Sequence, residues 1–384
     1  MRARLLAADE ASTPTTPKPM AAKQQSHAEV RALFAAMKRG DLDFVRAAAT
    51  PALAKEKNAQ GRTLMMEALF HQRMAFADLF KEHSDANKVD HQGCNALMIT
   101  LLRVSSRRNE WVAHLAPKTN LSRPANDGQT ALMMAAAAGD IASTRLLIEL
   151  GASADAVDRQ GCDALMLAID AEQWGTAWLL IPLSNAMRAD KGGSTALMRA
   201  AAAGHEKIVD LLLPLSDANA ANDSGRNTLM LAIERRRWAL VDKLAPKTNL
   251  RHTDANADTA LHWFARASHR NTMKQDTAQS ARFFPAELVE QKNQGGQTAL
   301  QFSIAMKNWA LMDVLTALLP LPRARELVAS CPYAELPQTH ARLEAVEIAR
   351  AAGIKPPPDT DPQALSEPLS DGQAATPRAK PRSL

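Results

Sequence analysis

Three histidines that lie close together in the chain are its best candidates for binding a metal ion. His252, His262 and His269 fall within one short stretch, and imidazole nitrogens are common zinc ligands. Their spacing matches no familiar structural zinc site, and no cysteine lies nearby. We therefore predict that these histidines are structural and that the protein holds no metal ion and no cofactor.

The sequence contains none of the short motifs that carry common catalytic chemistry. It has no glycine-rich phosphate loop, no GxSxG nucleophile elbow and no HExxH motif. Its glycines recur with a regular period, which indicates a role in turns. An active site confined to residues 321–354 would have only about 34 residues, too few for a catalytic domain. We predict no catalytic residues.

A glycine-centred phrase recurs along the chain and defines its architecture. The phrase "GQTALMMAAAAGD" begins at Gly128, and a similar phrase begins 33 residues later at Gly161. Aligned on this phrase, the chain has eight anchor positions, which are Gly61, Gly93, Gly128, Gly161, Gly193, Gly225, Ala257 and Gly296. Successive anchors are 32 to 39 residues apart, which indicates a repeat protein.

Each repeat has the residue types that begin and pack a helix. Two positions after the anchor stands a Thr, Asn or Asp, such as Thr130, and these residues cap helix N-termini. Four positions after the anchor stands a Leu or Met. Seven positions after it stands a small residue, with Phe264 as the exception. A second apolar stretch with helical spacing comes next. The pattern predicts a turn, a short helix, a turn and a longer helix.

The stretch "GQTALMMAAAAGDIASTRLLIELGASADAVD" resembles an ankyrin repeat, whose family pattern is G-x-T-P-L-H-x-A-A-x-x-G-H followed later by G-A-D. The resemblance extends over residues 26–320, and a degenerate capping repeat occupies residues 26–57. It implies an all-α fold, an α-solenoid of about nine helix-turn-helix repeats joined by hairpin-like turns.

Methionine replaces the histidine of the family pattern in six repeats, and only His262 keeps it. In the family, this histidine links neighbouring loops by hydrogen bonds. The six methionines are Met66, Met98, Met133, Met166, Met198 and Met230. We expect this column to pack between repeats and not to bind a soft metal. The substitution resembles the style of bacterial ankyrin proteins.

The cysteines are few and widely separated. Cys94 and Cys162 directly follow their anchor glycines, and they should lie about 20 Å apart if helices pack about 8–10 Å apart. That distance is too long for a disulfide. Cys331 makes the number of cysteines odd, so we expect no disulfide framework and a reducing environment. We predict that Cys94 and Cys162 are exposed thiols.

Tryptophans mark alternate repeats. Trp174, Trp238 and Trp309 each stand 13 residues after their anchor, and Trp111 occupies the equivalent place in its repeat after a short insertion. The intervening repeats carry "AAAAGD" or "AAAAGH" instead. This alternation predicts that the chain grew by duplication of repeat pairs of about 65 residues.

Loss of the repeat pattern predicts the domain boundaries. Residues 1–25 are rich in Thr, Pro, Ala and Lys, and we expect them to be disordered. Residues 26–320 form the repeats, with an inserted loop before Gly296. Residues 321–354 should form a helical C-terminal cap. Residues 355–384 are rich in proline and are predicted to be a disordered tail.

The composition argues against several classes of partner. The chain has 46 basic and 41 acidic residues, a balance too even to indicate a nucleic-acid-binding protein. The apolar run 5–8 is too short for a secretory signal, and the longest run, 131–138, is too short to span a membrane. The sequence predicts a soluble, cytoplasmic protein, or alternatively one secreted without a cleavable signal peptide.

In ankyrin proteins, partners usually contact the turn tips and the exposed ends of the first helices. Carried onto this chain, and favouring the residue types enriched in binding hot spots, the resemblance implies six partner-binding residues, Arg62, Phe70, Arg159, Lys191, Arg226 and Arg235. The basic run "ERRRWALVDK", residues 234–243, permits two interpretations. It is either a solvated helix end or part of a partner-facing ridge.

These observations lead to two functional hypotheses. The first is a non-enzymatic protein–protein interaction scaffold that binds a protein partner through turn tips and the concave face of the solenoid. The alternative is a secreted bacterial effector that uses the same repeats to bind host proteins, with an export signal near its N-terminus. Neither hypothesis includes a nucleic acid, a membrane or a small-molecule substrate.

Overall fold

The computed structural model describes residues 19–267, 283–331 and 337–351. The chain divides into two compact units, unit 1 (Met1–Asn185) and unit 2 (Ala186–Leu384). Within the described residues there is no β-strand, and isolated antiparallel bridges close several of the turns. The predicted all-α fold is confirmed.

Unit 1 is built from pairs of short antiparallel helices, each pair forming one repeat. Its helices are α1 (Pro19–Arg39), α2 (Leu42–Ala48), α3 (Leu64–Phe70), α4 (Met74–Phe80), α5 (Ala96–Arg103), α6 (Arg108–Leu115), α7 (Ala131–Ala137), α8 (Ile141–Glu149), α9 (Ala164–Asp170) and α10 (Trp174–Leu180). The first helices stack in the order α3, α5, α7 and α9, and each also contacts the second helix of its own repeat.

Unit 2 continues the same plan. Its helices are α11 (Ala196–Ala203), α12 (Glu206–Leu212), α13 (Thr228–Glu234), α14 (Trp238–Leu244), α15 (Ala260–Ala267), α16 (Ala299–Ala305), α17 (Trp309–Leu318), α18 (Leu321–Ala329) and α19 (Pro337–Ala351). The first helices stack in the order α11, α13, α15 and α16. The predicted inserted loop before Gly296 falls largely on residues 268–282, which lie outside the described residues.

The predicted caps fix where the first helices begin. The Asn95 side chain accepts a hydrogen bond from the amide of Met98 at 2.9 Å. The equivalent bond is made by Thr63, Thr130, Asp163, Thr195, Asn227 and Thr298. Each cap stabilises its helix by about 1 kcal/mol. The prediction of these N-caps is confirmed.

Columns of equivalent residues form the interior of each unit. The predicted leucine column is buried, and so are all six methionines that replace the family histidine. Small residues let the first helices approach closely. Ala135 lies where α7 contacts α9 in unit 1, Ala200 lies where α11 contacts α13 in unit 2, and both are fully buried. The prediction that the methionines pack in the core is confirmed.

The turn between the two helices of a repeat contains one residue in the left-handed conformation. In some repeats this residue is glycine, as at Gly139 (φ 70°) and Gly204 (φ 86°). In the repeats with Trp174, Trp238 and Trp309 it is a long polar residue, with φ between 55° and 57°, and these residues are Glu172, Arg236 and Lys307. A side chain in this conformation costs about 1–2 kcal/mol relative to glycine. The repeat of α3 and α4 is an exception, since it has no such tryptophan and still carries Gln72 (φ 55°) at this position. From Gly139 onward, the described turns follow the alternation that the tryptophans mark.

The ends of the chain differ partly from the sequence prediction. Helix α1 begins at Pro19, so residues 19–25, predicted to be disordered, are helical. The physical reason is that Met, Ala, Lys and Gln have high helix propensity and extend the packed helix toward its N-terminus. The segment predicted as a helical cap contains α18 and α19, and both contact α17. The export signal of the alternative hypothesis, "ASTPTTPKPMAAKQQS" at residues 11–26, lies partly outside the described residues, and the tail 355–384 lies wholly outside them.

Candidate partner-binding face

Seven of the eight turn tips are held by an Asp or Asn that stands three residues before the anchor. The Asp158 Oδ1 atom accepts hydrogen bonds from the amides of Gln160 (2.8 Å) and Cys162 (2.9 Å). Equivalent pairs of bonds are made by Asn58, Asp90, Asp190, Asn222 and Asp254. The sequence prediction missed these residues, although Asp or Asn precedes seven of the eight anchors at this distance. The side chain holds the tip because Asp and Asn readily bond to the backbone two residues on.

Backbone hydrogen bonds join each tip to the next one within a unit. In unit 1 the amide of Arg159 donates to the carbonyl oxygen of Asp127 at 3.0 Å. In unit 2 the amide of Asp223 donates to the carbonyl oxygen of Gly192 at 2.9 Å, and the amide of Ala255 donates to Ser224 at 3.1 Å. Successive tips are therefore fixed relative to each other before any partner binds, which reduces the entropy lost on binding.

The tips and the exposed side of the first helices form one continuous surface in each unit, which we call the tip face. In unit 1 this surface includes an aromatic ring that lies close to two arginines. The guanidinium carbon of Arg62 lies 3.6 Å from the centre of the Phe70 ring, and that of Arg103 lies 4.6 Å from it. We call these three residues the Phe70 stack. A cation above an aromatic face stabilises both groups by about 0.5–1 kcal/mol at exposed sites.

Arg62 supports this stack from inside the protein. Its side chain is only 11% exposed, and it forms ion pairs with Glu67 (3.4 Å) and Asp90 (3.3 Å). The carboxylate of Glu67 is also 3.2 Å from the Nε2 atom of His71. Arg62 was predicted as a contact residue, and the structure places most of it below the surface. The exposed cation of the stack is Arg103, which the sequence prediction did not include.

Unit 2 has a corresponding arrangement around a tryptophan. The guanidinium carbons of Arg226 and Arg266 each lie 4.8 Å from the Trp263 ring. These three residues form the Trp263 stack. The indole nitrogen of Trp263 donates to the Oδ2 atom of Asp254 at 3.0 Å, which fixes the ring. The prediction named only Arg226 of this group.

Ion pairs hold the two arginines of the Trp263 stack. Arg226 pairs with Glu234 at 3.0 Å, and Arg266, whose side chain is 44% exposed, pairs with Asp258 at 3.2 Å. These carboxylates come from the tip and from the end of a first helix. The arginines are therefore oriented in advance, and their charges are largely balanced.

The other predicted contact residues lie at the surface. Arg159 and Lys191 are exposed at turn tips, one in each unit, and Arg235 is exposed directly after α13. The structure thus brings Arg62 and Phe70 together in unit 1. Arg226 and Arg235 belong to the same repeat of unit 2, while Lys191 and Arg159 mark separate tips.

The prediction that Cys94 and Cys162 are exposed is wrong. Both are buried, with 6% and 5% of their surface exposed. The reason is that the next tip covers this position, since a Cβ atom on Gly93 would lie only 2.8 Å from the amide nitrogen of Asn126. Burial, reinforced by the nearby charges of Asp90 and Asp127, raises the pKa of the Cys94 thiol to about 11.

His262 links neighbouring repeats, as the resemblance implies. Its Nδ1 atom accepts a hydrogen bond from the amide of Thr259 at 3.2 Å, and its Nε2 atom lies 3.1 Å from the carbonyl oxygen of Gln297 in the next repeat. These contacts require a neutral ring with the proton on Nε2. Burial lowers the pKa of His262, which outweighs the opposing effect of the Gln297 carbonyl and of Asp258 and Asp254. Arg266 also lowers this pKa.

This contact predicts a pH-dependent stability. Because the pKa of His262 is lower in the folded protein, the unfolded chain binds the proton first as the pH falls below about 6.5. The contribution of His262 is therefore complete above that pH and is lost below it, by no more than about 1.4 kcal/mol per pH unit. We expect the free energy of unfolding, measured with urea, to fall between pH 7.5 and pH 5.5. The fall should be smaller for His262→Met than for the wild type. Met is the residue that six other repeats carry here. An unchanged pH dependence in this variant would contradict the assignment.

Neither a metal site nor a membrane-spanning helix is found among the described residues. In that part of the chain no group of three His, Cys, Asp or Glu side chains is arranged to hold a metal ion. His269, the third histidine considered above, lies outside it. No helix among the described residues is long and apolar enough to cross a lipid bilayer.

Stacked helix pairs, capped first helices and hydrogen-bonded tips define a helical repeat protein whose tip face is suited to recognition. The family model described as ankyrin repeats (3 copies) matches residues 101–187 and 171–251. The chain contains ankyrin repeats over residues 101–251. Ankyrin repeats are in general protein–protein interaction modules and are typically not enzymes. No curated protein matches the chain.

Proposed function

We propose that the protein is a non-enzymatic scaffold that binds a protein partner through the tip faces of its repeats. The observation that carries this proposal is the pair of arginine–aromatic stacks. Arg, Trp and Tyr are the residues most enriched in interface hot spots, and Phe is also enriched in interfaces. Phe70 is partly exposed and lies against Arg62 and Arg103. Trp263 is only 6% exposed and supports Arg226 and Arg266, so the arginines are the part of this stack that a partner can reach.

An exposed apolar residue stands next to Arg103 in the chain. Leu102 is 52% exposed and precedes Arg103 at the end of α5. An exposed leucine and an exposed arginine at the end of the same helix suit a partner surface that combines apolar and acidic side chains. Arg103 has no carboxylate partner among the described residues, so it is available to a carboxylate of the partner.

The charge arrangement favours a protein over a nucleic acid. Nucleic-acid affinity comes mainly from many cations that neutralise phosphates. On the tip faces, Arg62, Arg226 and Arg266 each pair with carboxylates of the protein itself. Carboxylates beside these arginines would repel phosphates, so the surface suits a partner with mixed charge.

Binding by paired variants tests the proposal. The intact chain captures a partner, which is identified and purified, and its Kd is measured for wild type, Phe70→Ala and Arg103→Ala. We expect each substitution to weaken binding by about 1–2 kcal/mol or more, as for hot-spot residues. Arg145→Ala is the matched control, since Arg145 is an exposed arginine on the second helix α8 of the same unit.

The outcomes separate clearly. The control should bind as wild type does, and thermal unfolding of each variant should show that unit 1 is still folded. If Phe70→Ala and Arg103→Ala bind the partner as tightly as Arg145→Ala does, the tip face of unit 1 is not the binding surface.

A further inference from the structure

A cluster of three arginines lies at the turn between α13 and α14 of unit 2. Arg235 and Arg236 are exposed, and Arg237 immediately precedes α14. The Nε atom of Arg237 donates to the carbonyl oxygen of Ala202 in the preceding repeat at 3.1 Å. Its side chain also lies against Gly204, where an added Cβ would be 2.6 Å from the Arg237 Cδ. Arg237 is therefore fixed, and it orients the turn.

Arg236 occupies a backbone conformation that favours glycine. Its φ is 57°, whereas the equivalent residue of the preceding repeat is Gly204, with φ 86°. Glycine would relieve the strain at Arg236. Residues held in disfavoured conformations are often functional. Gln72, Glu172 and Lys307 share this conformation at the equivalent turns, and Arg236 differs from them because an arginine stands on each side of it.

The charges of Arg235 and Arg236 are not balanced by the surrounding carboxylates. Glu234 pairs with Arg226, while Glu206 and Asp210 pair with Lys243. Within the part of the chain that the structure describes, neither Arg235 nor Arg236 has an ion-pair partner. In contrast, Arg226 and Arg266 of the same unit are paired with carboxylates.

We propose that Arg235, Arg236 and Arg237 form a binding site for a short acidic peptide segment of the protein partner. This inference rests on the proposed function and adds a second contact to the tip face. Guanidinium groups bind carboxylates with two parallel hydrogen bonds, and two exposed arginines match a short run of Asp or Glu. Two exposed arginines without ion-pair partners among the described residues are too few for tight binding of an extended polyanion such as DNA, whose affinity comes from many cations that neutralise phosphates.

The test measures the binding of a fluorescent twelve-residue peptide of Asp, Glu, Gly and Ser to the intact chain. A peptide with Asn and Gln in place of the acids is the control ligand. We expect the acidic peptide to bind more tightly, with an affinity that falls as salt is added. Arg236→Gly and Arg235→Ala should each weaken binding about tenfold, as loss of one charge-assisted contact does.

Glu172→Gly is the matched control variant. Glu172 occupies the same left-handed position in unit 1, with φ 56°. Both glycine variants should raise the melting temperature, because both remove backbone strain, but only Arg236→Gly should lose peptide binding. A role in the fold, such as stabilising the end of α13, would instead lower the melting temperature of Arg236→Gly and overturn the proposal.

Three other results would overturn it. These are equal binding of the acidic and neutral peptides, unchanged binding in the arginine variants, and tighter binding of duplex DNA or of phosphatidylserine vesicles than of the acidic peptide. Phe70→Ala distinguishes this proposal from the proposed function. It should bind the acidic peptide normally while losing the captured partner, so that either proposal can fail alone.

Discussion

Gly128→Ala should destabilise unit 1 by about 3 kcal/mol or more, because two unfavourable effects act at the same atom. Gly128 has a φ of 90°, a conformation that costs an L-residue about 1–2 kcal/mol. A Cβ atom there would also lie 2.6 Å from the amide nitrogen of Arg159 and 2.9 Å from the Cα of Asp158. Both are backbone atoms, so the whole next tip would have to move.

The displaced tip would also lose its connection to the preceding one. The amide of Arg159 donates to the carbonyl oxygen of Asp127, next to the substituted residue. The change in the free energy of unfolding can be measured by urea denaturation of the intact chain, followed by circular dichroism.

Gly151→Ala is the control for the backbone conformation alone. Its φ is 87°, and nothing lies within 4 Å of an added Cβ. This variant should lose only the conformational contribution of about 1–2 kcal/mol. Equal losses in Gly128→Ala and Gly151→Ala would show that contact between successive tips contributes nothing measurable to stability.

Local rules explain which features could be predicted from the sequence. An N-cap such as Asn95 bonds to a residue only three positions away, so its identity and spacing are sufficient evidence for a helix start. The Leu and Met columns recur with the repeat, and residues at equivalent positions have equivalent surroundings. The repeat period therefore predicts helices, caps and core before any coordinates are known.

Contacts between repeats explain what the sequence did not reveal. Cys94 is buried because the following tip covers its turn, and the position itself carries no sign of this. Arg62 is buried because Asp90 from the next repeat and Glu67 from its own helix accept its charge. The period predicts which repeats are neighbours, but not which side chains reach across.

The two stacks were incomplete in the sequence prediction for the same reason. Phe70 belongs to α3, while Arg103 ends α5 in the next repeat. Arg226 precedes α13, while Trp263 and Arg266 belong to α15. Trp263 is also buried, with 6% of its surface exposed. An aromatic residue in the middle of a first helix is typical of the core, which is why the sequence shows no sign of its contacts with Arg226 and Arg266.

Asp254→Ala should destabilise unit 2 by about 3 kcal/mol or more, since each buried donor left without a partner costs about 1–3 kcal/mol. The Oδ1 atom of Asp254 accepts from the amides of Asn256 (2.8 Å) and Asp258 (2.9 Å). Its Oδ2 atom accepts from the Trp263 indole at 3.0 Å. Alanine removes all three acceptor contacts, so both the tip and the ring of the Trp263 stack lose their support.

Asp254→Asn separates these two roles. Asn222 holds the preceding tip through its Oδ1 atom, with contacts of 3.1 and 3.0 Å, so an amide at position 254 should keep the tip intact. Its NH2 group would face the indole N–H of Trp263, however, and two donors cannot bond to each other. We expect a loss of about 1–2 kcal/mol, the effect of one unpaired buried donor.

Asp158→Asn completes the series, because the Asp158 tip has the two amide contacts and no indole contact. Its stability should stay within about 0.5 kcal/mol of wild type. Urea denaturation should therefore give the largest loss for Asp254→Ala, a smaller loss for Asp254→Asn and almost none for Asp158→Asn. Equal stability of the two asparagine variants would mean that the indole bond does not hold the ring. The Trp263 stack would then be positioned by Arg226 and Arg266 alone, and Asp254→Asn should bind the protein partner as tightly as wild type.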